Sequence, residues 1–116
     1  MRYVLAIYHD EATRPTPDVP GWDDMMAAYG ALRQELDRAG KLLAAEPLDG
    51  TGTATTVRVR DHERLVTDGP FAETKEVFAG FFLIEADDLD EAIGYAARIP
   101  TAAWGCVEVR PVADFS

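Results

Sequence analysis

Little in this chain suits covalent or metal chemistry. Cys106 is the only cysteine among 116 residues, so no intrachain disulfide can form. The two histidines, His9 and His62, lie far from it and from each other, which gives no metal-ligand spacing. The expectation is a protein with neither metal nor cofactor. Basic residues are few and scattered, eleven Lys and Arg against twenty-one Asp and Glu, for a net charge of −10. A nucleic-acid backbone calls for a basic patch, and its absence argues against nucleic acid as a direct partner. No apolar run is long enough to cross a bilayer. The opening stretch Met1–Tyr8 lacks the length and the small-residue cleavage site of a signal peptide, so a cytoplasmic location is expected. Gly50-Thr51-Gly52 lacks the lysine and following helix of a phosphate loop.

What is present describes one globular domain, with 47% hydrophobic and 28% charged residues in a length that supports a single core. Residues 2–8 read as a strand with two apolar faces, Tyr3, Leu5 and Ile7 on one and Val4, Ala6 and Tyr8 on the other. A Pro-rich loop runs from His9 to Gly21. A helix follows from about Asp23 to Ala39, with Met25, Ala28, Tyr29, Leu32 and Leu36 on one face and Gly40 as its stop. Lys41–Glu46 is a short strand ended by Pro47. Thr55–Arg60 and Arg64–Thr67 form a hairpin around Asp61-His62-Glu63. Gly80–Glu85 is a strand apolar on both faces. A second helix starts at Asp88, capped by Asp88 with Glu91 as its capping-box partner. It has a stripe of Leu89, Ala92, Ile93, Ala96 and Ala97 and ends at Pro100. Cys106–Arg110 is the last strand, where a small buried thiol is expected.

The order is β-α-β, hairpin, β-α-β. The fold class expected is α+β, a ferredoxin-like β-α-β-β-α-β domain with an inserted hairpin. Two helices cover one face of such a sheet, yet two strands are apolar on both. A second copy of the chain is the simplest cover for the other face, so a homodimer with packed sheets is expected.

The densest run of special backbone chemistry is Asp68-Gly69-Pro70-Phe71-Ala72-Glu73-Thr74-Lys75-Glu76. Together with the preceding Leu65-Val66-Thr67 and the following Gly80–Ile84, it resembles the DGPF branch of the YCII-related proteins. The opening strand Tyr3–Tyr8, Leu42–Pro47, the helix start Asp87–Ala92 and the end Val107–Pro111 also match, so the resemblance spans nearly the whole chain. It implies a dimeric α/β barrel of ferredoxin-like domains with a cleft between sheet and helices. The wider family is thought to include enzymes with a His/Asp pair, one line of which acts on chlorinated aromatic rings. That histidine lies in the first helix, where this chain has no histidine and Tyr29 falls at about the corresponding place. The pair therefore does not carry over intact. DGPF members also resemble proteins encoded beside extracytoplasmic-function sigma factors, which gives a second expectation, a non-catalytic accessory partner of a sigma factor.

Each candidate residue has a structural and a chemical reading. Gly69 permits positive φ, Pro70 fixes the next φ, and Asp68 accepts amide hydrogen bonds, so the run is a turn with Phe71 anchoring it in the core. Alternatively, the turn aims Asp68 into the cleft as a general base, with Phe71 against a ligand. Glu73 and Lys75 share a face of an extended segment and form either a solvated pair or the rim of a site. His9 ends the first strand beside Asp10, a neighbour expected to raise its pKa, and is a candidate acid/base. His62, in the hairpin turn, has no expected role. Glu46 becomes a base only if buried. Tyr8, Tyr29, Phe81, Phe82 and Trp104 line an apolar pocket or are ordinary core. The expected ligand is a small organic molecule, the expected chemistry proton transfer by His9 or Asp68, and the remaining contacts Tyr29, Glu46, Phe71, Glu73 and Lys75.

Overall fold

The computed structural model describes residues 1–115. Six strands and two helices follow in the order β1 (Arg2–His9), α1 (Trp22–Arg38), β2 (Leu42–Pro47), β3 (Thr55–Arg60), β4 (Glu63–Asp68), β5 (Val77–Glu85), α2 (Leu89–Ala97) and β6 (Cys106–Pro111). This is a mixed α+β arrangement. Four strands make an antiparallel sheet in the order β2-β5-β1-β6, and β3 and β4 form a separate two-stranded sheet.

Register follows side-chain alternation. Tyr3 pairs with Ile84 and Leu5 with Phe82, while Leu5 and Ile7 pair with Val109 and Val107 on the other side. These residues point to one face. They form the core there with Leu32 and Leu36 of α1 and Ala92, Ala96 and Ile99 of α2 and its exit. Leu5, Leu36 and Ile84 are fully buried. At about 25 cal/mol per Å², burial of such side chains is the main favourable term holding helices to sheet.

The ends of the helices follow from local chemistry. In α1, Asp23 and Asp24 occupy the first turn and Arg38 the last, each favourable to the helix dipole. Gly40, at φ +71°, closes it, with Lys41 N–H donating to the Leu36 carbonyl and Gly40 N–H to that of Asp37. In α2, the Glu91 N–H donates to Asp88 Oδ1 at 2.9 Å, as a capping box requires, and the Glu91 carboxylate also pairs with Lys41.

Several expectations need correction. Ala28 is exposed, since α1 buries only Leu32 and Leu36 outright. In α2 Leu89, Ile93 and Ala97 are exposed, leaving Ala92 and Ala96 as the buried stripe. Cys106 is exposed rather than buried, because it shares the face of Glu108 and Arg110 on an edge strand, while Val107 and Val109 take the core side.

The hairpin stands apart. Asp61 (φ 52°) and His62 (φ 66°) both take the left-handed conformation that a two-residue hairpin turn needs. All of β4 is exposed. A compact domain of this length has a radius of gyration of about 13 Å, whereas this chain has 16.2 Å. The separate hairpin, in a molecule of 46 × 46 × 19 Å, accounts for the excess.

Candidate functional site

The sheet's helix-covered face opens at one end into a cavity of about 620 Å³. Ile7, Ala45, Gly80 and Phe82 lie at its sheet side, and α1 contributes Trp22, Met25, Tyr29 and Arg33. The Pro-rich loop supplies Arg14 and Pro15, and the segment between α2 and β6 supplies Thr101 and Trp104. The volume is in the range of small-molecule sites, which are mostly apolar with a few placed polar groups.

His9 reaches this cavity because β1 alternates. It continues the Tyr3, Leu5, Ile7 face beyond the last helix contact. Its ring lies 5.5 Å from that of Trp104, with 20° between the planes, a stacked pair. Gly105 makes the stack achievable. A Cβ there would meet the Tyr8 carbonyl oxygen at 2.2 Å and the His9 Cα at 3.3 Å. Only glycine lets the chain beside Trp104 come so close to the end of β1. Burial, and then the charge of Arg14, hold the His9 pKa below that of an ordinary imidazole, outweighing the carboxylates of Glu11 and Asp10. Asp10 does push upward, as the sequence suggests, but burial and Arg14 reverse the net direction. His9 is a neutral imidazole at pH 7, able to accept a proton.

Tyr29 sits across the cavity, half-buried, its hydroxyl bonded to Thr101 Oγ1. Burial raises its pKa, so it stays protonated at neutral pH. Arg33, one turn on, donates from Nη1 to the Ala45 carbonyl at 3.1 Å. Glu46 lines the cavity but is exposed, so the burial on which a base role depended is absent.

The other candidates lie elsewhere. Asp68, Phe71, Glu73 and Lys75 do not line this cavity. Asp68 ends β4 exposed, paired through its backbone with Thr55. Gly69, at φ +97°, donates its N–H to the Ala54 carbonyl at 2.7 Å and accepts from Thr56 Oγ1 at 2.8 Å. That is the turn reading of the motif. Phe71 is 78% exposed, so it does not anchor the turn in the core. Glu73 and Lys75 are exposed and form no ion pair among the described residues. Glu73 borders a second, smaller hollow of about 280 Å³ with Glu11, Thr51 and Gly69. There the Glu11 carboxylate accepts from the Thr51 N–H at 2.9 Å and its hydroxyl at 2.5 Å, tying the Pro-rich loop to the base of the hairpin. Tyr8 faces the opposite side of the sheet, against Phe78.

The cavity thus unites His9, Tyr29 and Glu46, and adds Trp22, Arg14 and Arg33, which sequence reasoning missed. One signal for Arg33 was available: it follows Tyr29 by four residues, one helical turn along the same face. Arg14 sits in a loop without periodicity, and nothing local marks it.

An α+β domain with an end-on cavity between sheet and helices is the class defined here. The chain belongs to the YCII-related domain family, whose profile matches residues 1–116. It is 37% identical over 115 residues to an uncharacterised protein of Rhizobium meliloti (strain 1021), covering 97% of this chain and 93% of that one. It is similar in fold to a solved structure of the 5-chloro-2-hydroxyhydroquinone dehydrochlorinase of Burkholderia phenoliruptrix AC1100 in complex with 2,5-dihydroxybenzoquinone. That likeness has a TM-score of 0.56 at 19% identity and covers 97% of this chain and 94% of the other. Among the described residues no helix is long and apolar enough to cross a membrane, and no cluster of three or more His, Cys, Asp or Glu is placed to hold a metal ion.

Proposed function

We propose that this protein binds a small ring-bearing organic compound in the cavity between α1 and the sheet, and that His9 takes a proton from it. The observation that carries this reading is the neutral His9 imidazole stacked on Trp104 inside an apolar, aromatic-walled cavity. Trp22, Tyr29, Phe82 and Trp104 offer faces to a planar ring. A bound hydroxyl or activated C–H loses its proton to a His9 ring nitrogen, and the electron pair stays on the ligand as an oxyanion or carbanion. The Tyr29 hydroxyl, protonated at neutral pH, donates a hydrogen bond to the charge that develops. The solved neighbour's hydroxylated quinone ligand suits the same chemistry. Asp68, in this reading, belongs to the turn.

Within the family, the Asp68–Phe71 run supports membership of the DGPF branch. The strand order supports a ferredoxin-like topology, since β1 and β2 run parallel with β5 between them. Val4, Ala6, Tyr8, Phe78 and Leu83 lie on the sheet face away from both helices. That supports a two-fold dimer closed over this face, which sedimentation at micromolar concentration tests through the mass. The sigma-factor accessory reading has no support from the family, the relative or the solved neighbour.

The test is a binding screen of hydroxylated aromatic and quinone compounds, 2,5-dihydroxybenzoquinone among them, followed by NMR of His9. Binding that moves the His9 imidazole resonances, with turnover lost in His9→Gln while binding persists, is the expected result. A ligand that binds without moving them contradicts the role given to His9.

A further inference from the structure

We infer that the cavity selects an anionic ring compound, a carboxylate or an ionised phenol, and that Arg14 and Arg33 are its specificity-determining residues. The inference rests on the reading of the cavity as a ring-binding site and adds the charge of what it takes. With His9 neutral, the charged residues lining the cavity are Arg14, Arg33 and Glu46. Two arginines to one glutamate is a local reversal in a chain with eleven basic residues against twenty-one acidic ones.

Neither arginine forms an ion pair among the described residues, although the charge of Arg14 is also felt at the Glu11 carboxylate. The ion pairs among the described residues join the N-terminus to Glu85, Lys41 to Glu91, Arg98 to Glu35 and Arg110 to Glu108. Arg33, though exposed, uses one of its N–H donors on the Ala45 carbonyl, which holds the guanidinium against β2 and leaves the others without a partner among the described residues. Arg14 makes no hydrogen bond to the protein among the described residues, yet its charge is felt at His9. The planar five-donor guanidinium matches a carboxylate or phenolate better than it matches a neutral group. A cation in reach of His9 also suits the proposed reaction, because proton removal from an already anionic ligand concentrates negative charge where Arg14 acts. The loop carrying Arg14 is held by the Glu11–Thr51 hydrogen bonds, while the Arg14 side chain itself is exposed at the cavity mouth and open to a ligand.

The experiment is calorimetric titration of the full chain with 2,5-dihydroxybenzoate and with 2,5-dihydroxybenzamide, which share a ring and differ in one charge. The acid is expected to bind about tenfold more tightly than the amide, with the preference shrinking as salt is raised. In Arg14→Gln and Arg33→Gln the acid's affinity falls towards the amide's, while the amide's changes far less, which also reports that the cavity is still formed. Equal affinities for acid and amide overturn the inference and leave the ring-binding cavity standing. Failure of both compounds to bind at millimolar concentration overturns both readings. A preference for the acid that survives in the double variant overturns the assignment to these arginines.

Discussion

Two regions of this molecule invite a functional reading, and they are built in opposite ways. At the cavity end, side chains do the work. His9 and Trp104 stack, Tyr29 bonds Thr101, and Gly105 lets two backbones meet. In the hairpin and the Asp68–Phe71 turn, the backbone does the work. Gly69 takes a positive φ and bonds Ala54, Asp61 and His62 turn the chain, and the side chains face outward. A run dense in glycine, proline and charge need not be a binding site. Such residues are also what a tight turn at the foot of a projecting hairpin demands.

The largest contrast lies in stability. Leu5→Ala, at a fully buried position of β1, removes core packing from the sheet and should lower the unfolding free energy by about 2–5 kcal/mol. Val59→Ala, at 61% exposure in the hairpin, should change it by under about 0.5 kcal/mol. Urea titrations of the two variants compare the regions directly, and similar losses would mean that the hairpin is packed in solution, as a dimer partner would pack it.

The two glycines sharpen the comparison. Gly105→Ala should cost about 1–3 kcal/mol, as overpacking does, and should separate His9 from Trp104, visible as quenching or shift of the Trp104 fluorescence band. Gly69→Ala should cost about 1–2 kcal/mol through its left-handed φ and leave the cavity residues undisturbed. An unchanged Trp104 environment in Gly105→Ala would contradict the close-approach argument.

The smallest effect is in titration. Burial and Arg14 hold His9 below an ordinary imidazole. As pH falls past the ordinary imidazole midpoint, the unfolded chain takes a proton that the folded chain refuses. The His9 contribution to stability is therefore complete above that midpoint and is lost as pH falls to His9's own lower midpoint. NMR of the imidazole should give that low midpoint, and Arg14→Gln should raise it. A downward move in Arg14→Gln would place the arginine wrongly.

The elements were largely legible in the sequence, because alternation and helical spacing are local. The two apolar faces of β1 and β5, the cap at Asp88 and the stop at Gly40 all read correctly. The cavity was legible only in part. His9, Tyr29, Glu46, Phe81, Phe82 and Trp104 were identifiable as residue types at strand ends and on a helix face. That the Pro-rich loop swings Arg14 over them, and that Asp68 lies away from them, depends on where β2 and the hairpin sit relative to β1. Sheet order is a property of long-range contacts, and no spacing along the chain encodes it. Cys106 was misassigned for a local reason, since the alternation of Val107 and Val109 against Glu108 and Arg110 already put it on the polar face.

Which of the two regions holds the ligand is the central question for this molecule. Gly30 lines the cavity, and a Cβ there meets nothing within 4 Å, so Gly30→Phe sets a bulky ring at the cavity wall without a backbone clash. Replacing a helical glycine by Phe also favours the helix by a few tenths of a kcal/mol, about half of what Ala would give. The decisive measurement is the rise in melting temperature caused by a bound ring compound, made on the wild type, Gly30→Phe and Asp68→Asn. The expected rise vanishes in Gly30→Phe, with that variant's own stability kept, and persists in Asp68→Asn. A rise that persists in Gly30→Phe and vanishes in Asp68→Asn would contradict this and move the site to the turn.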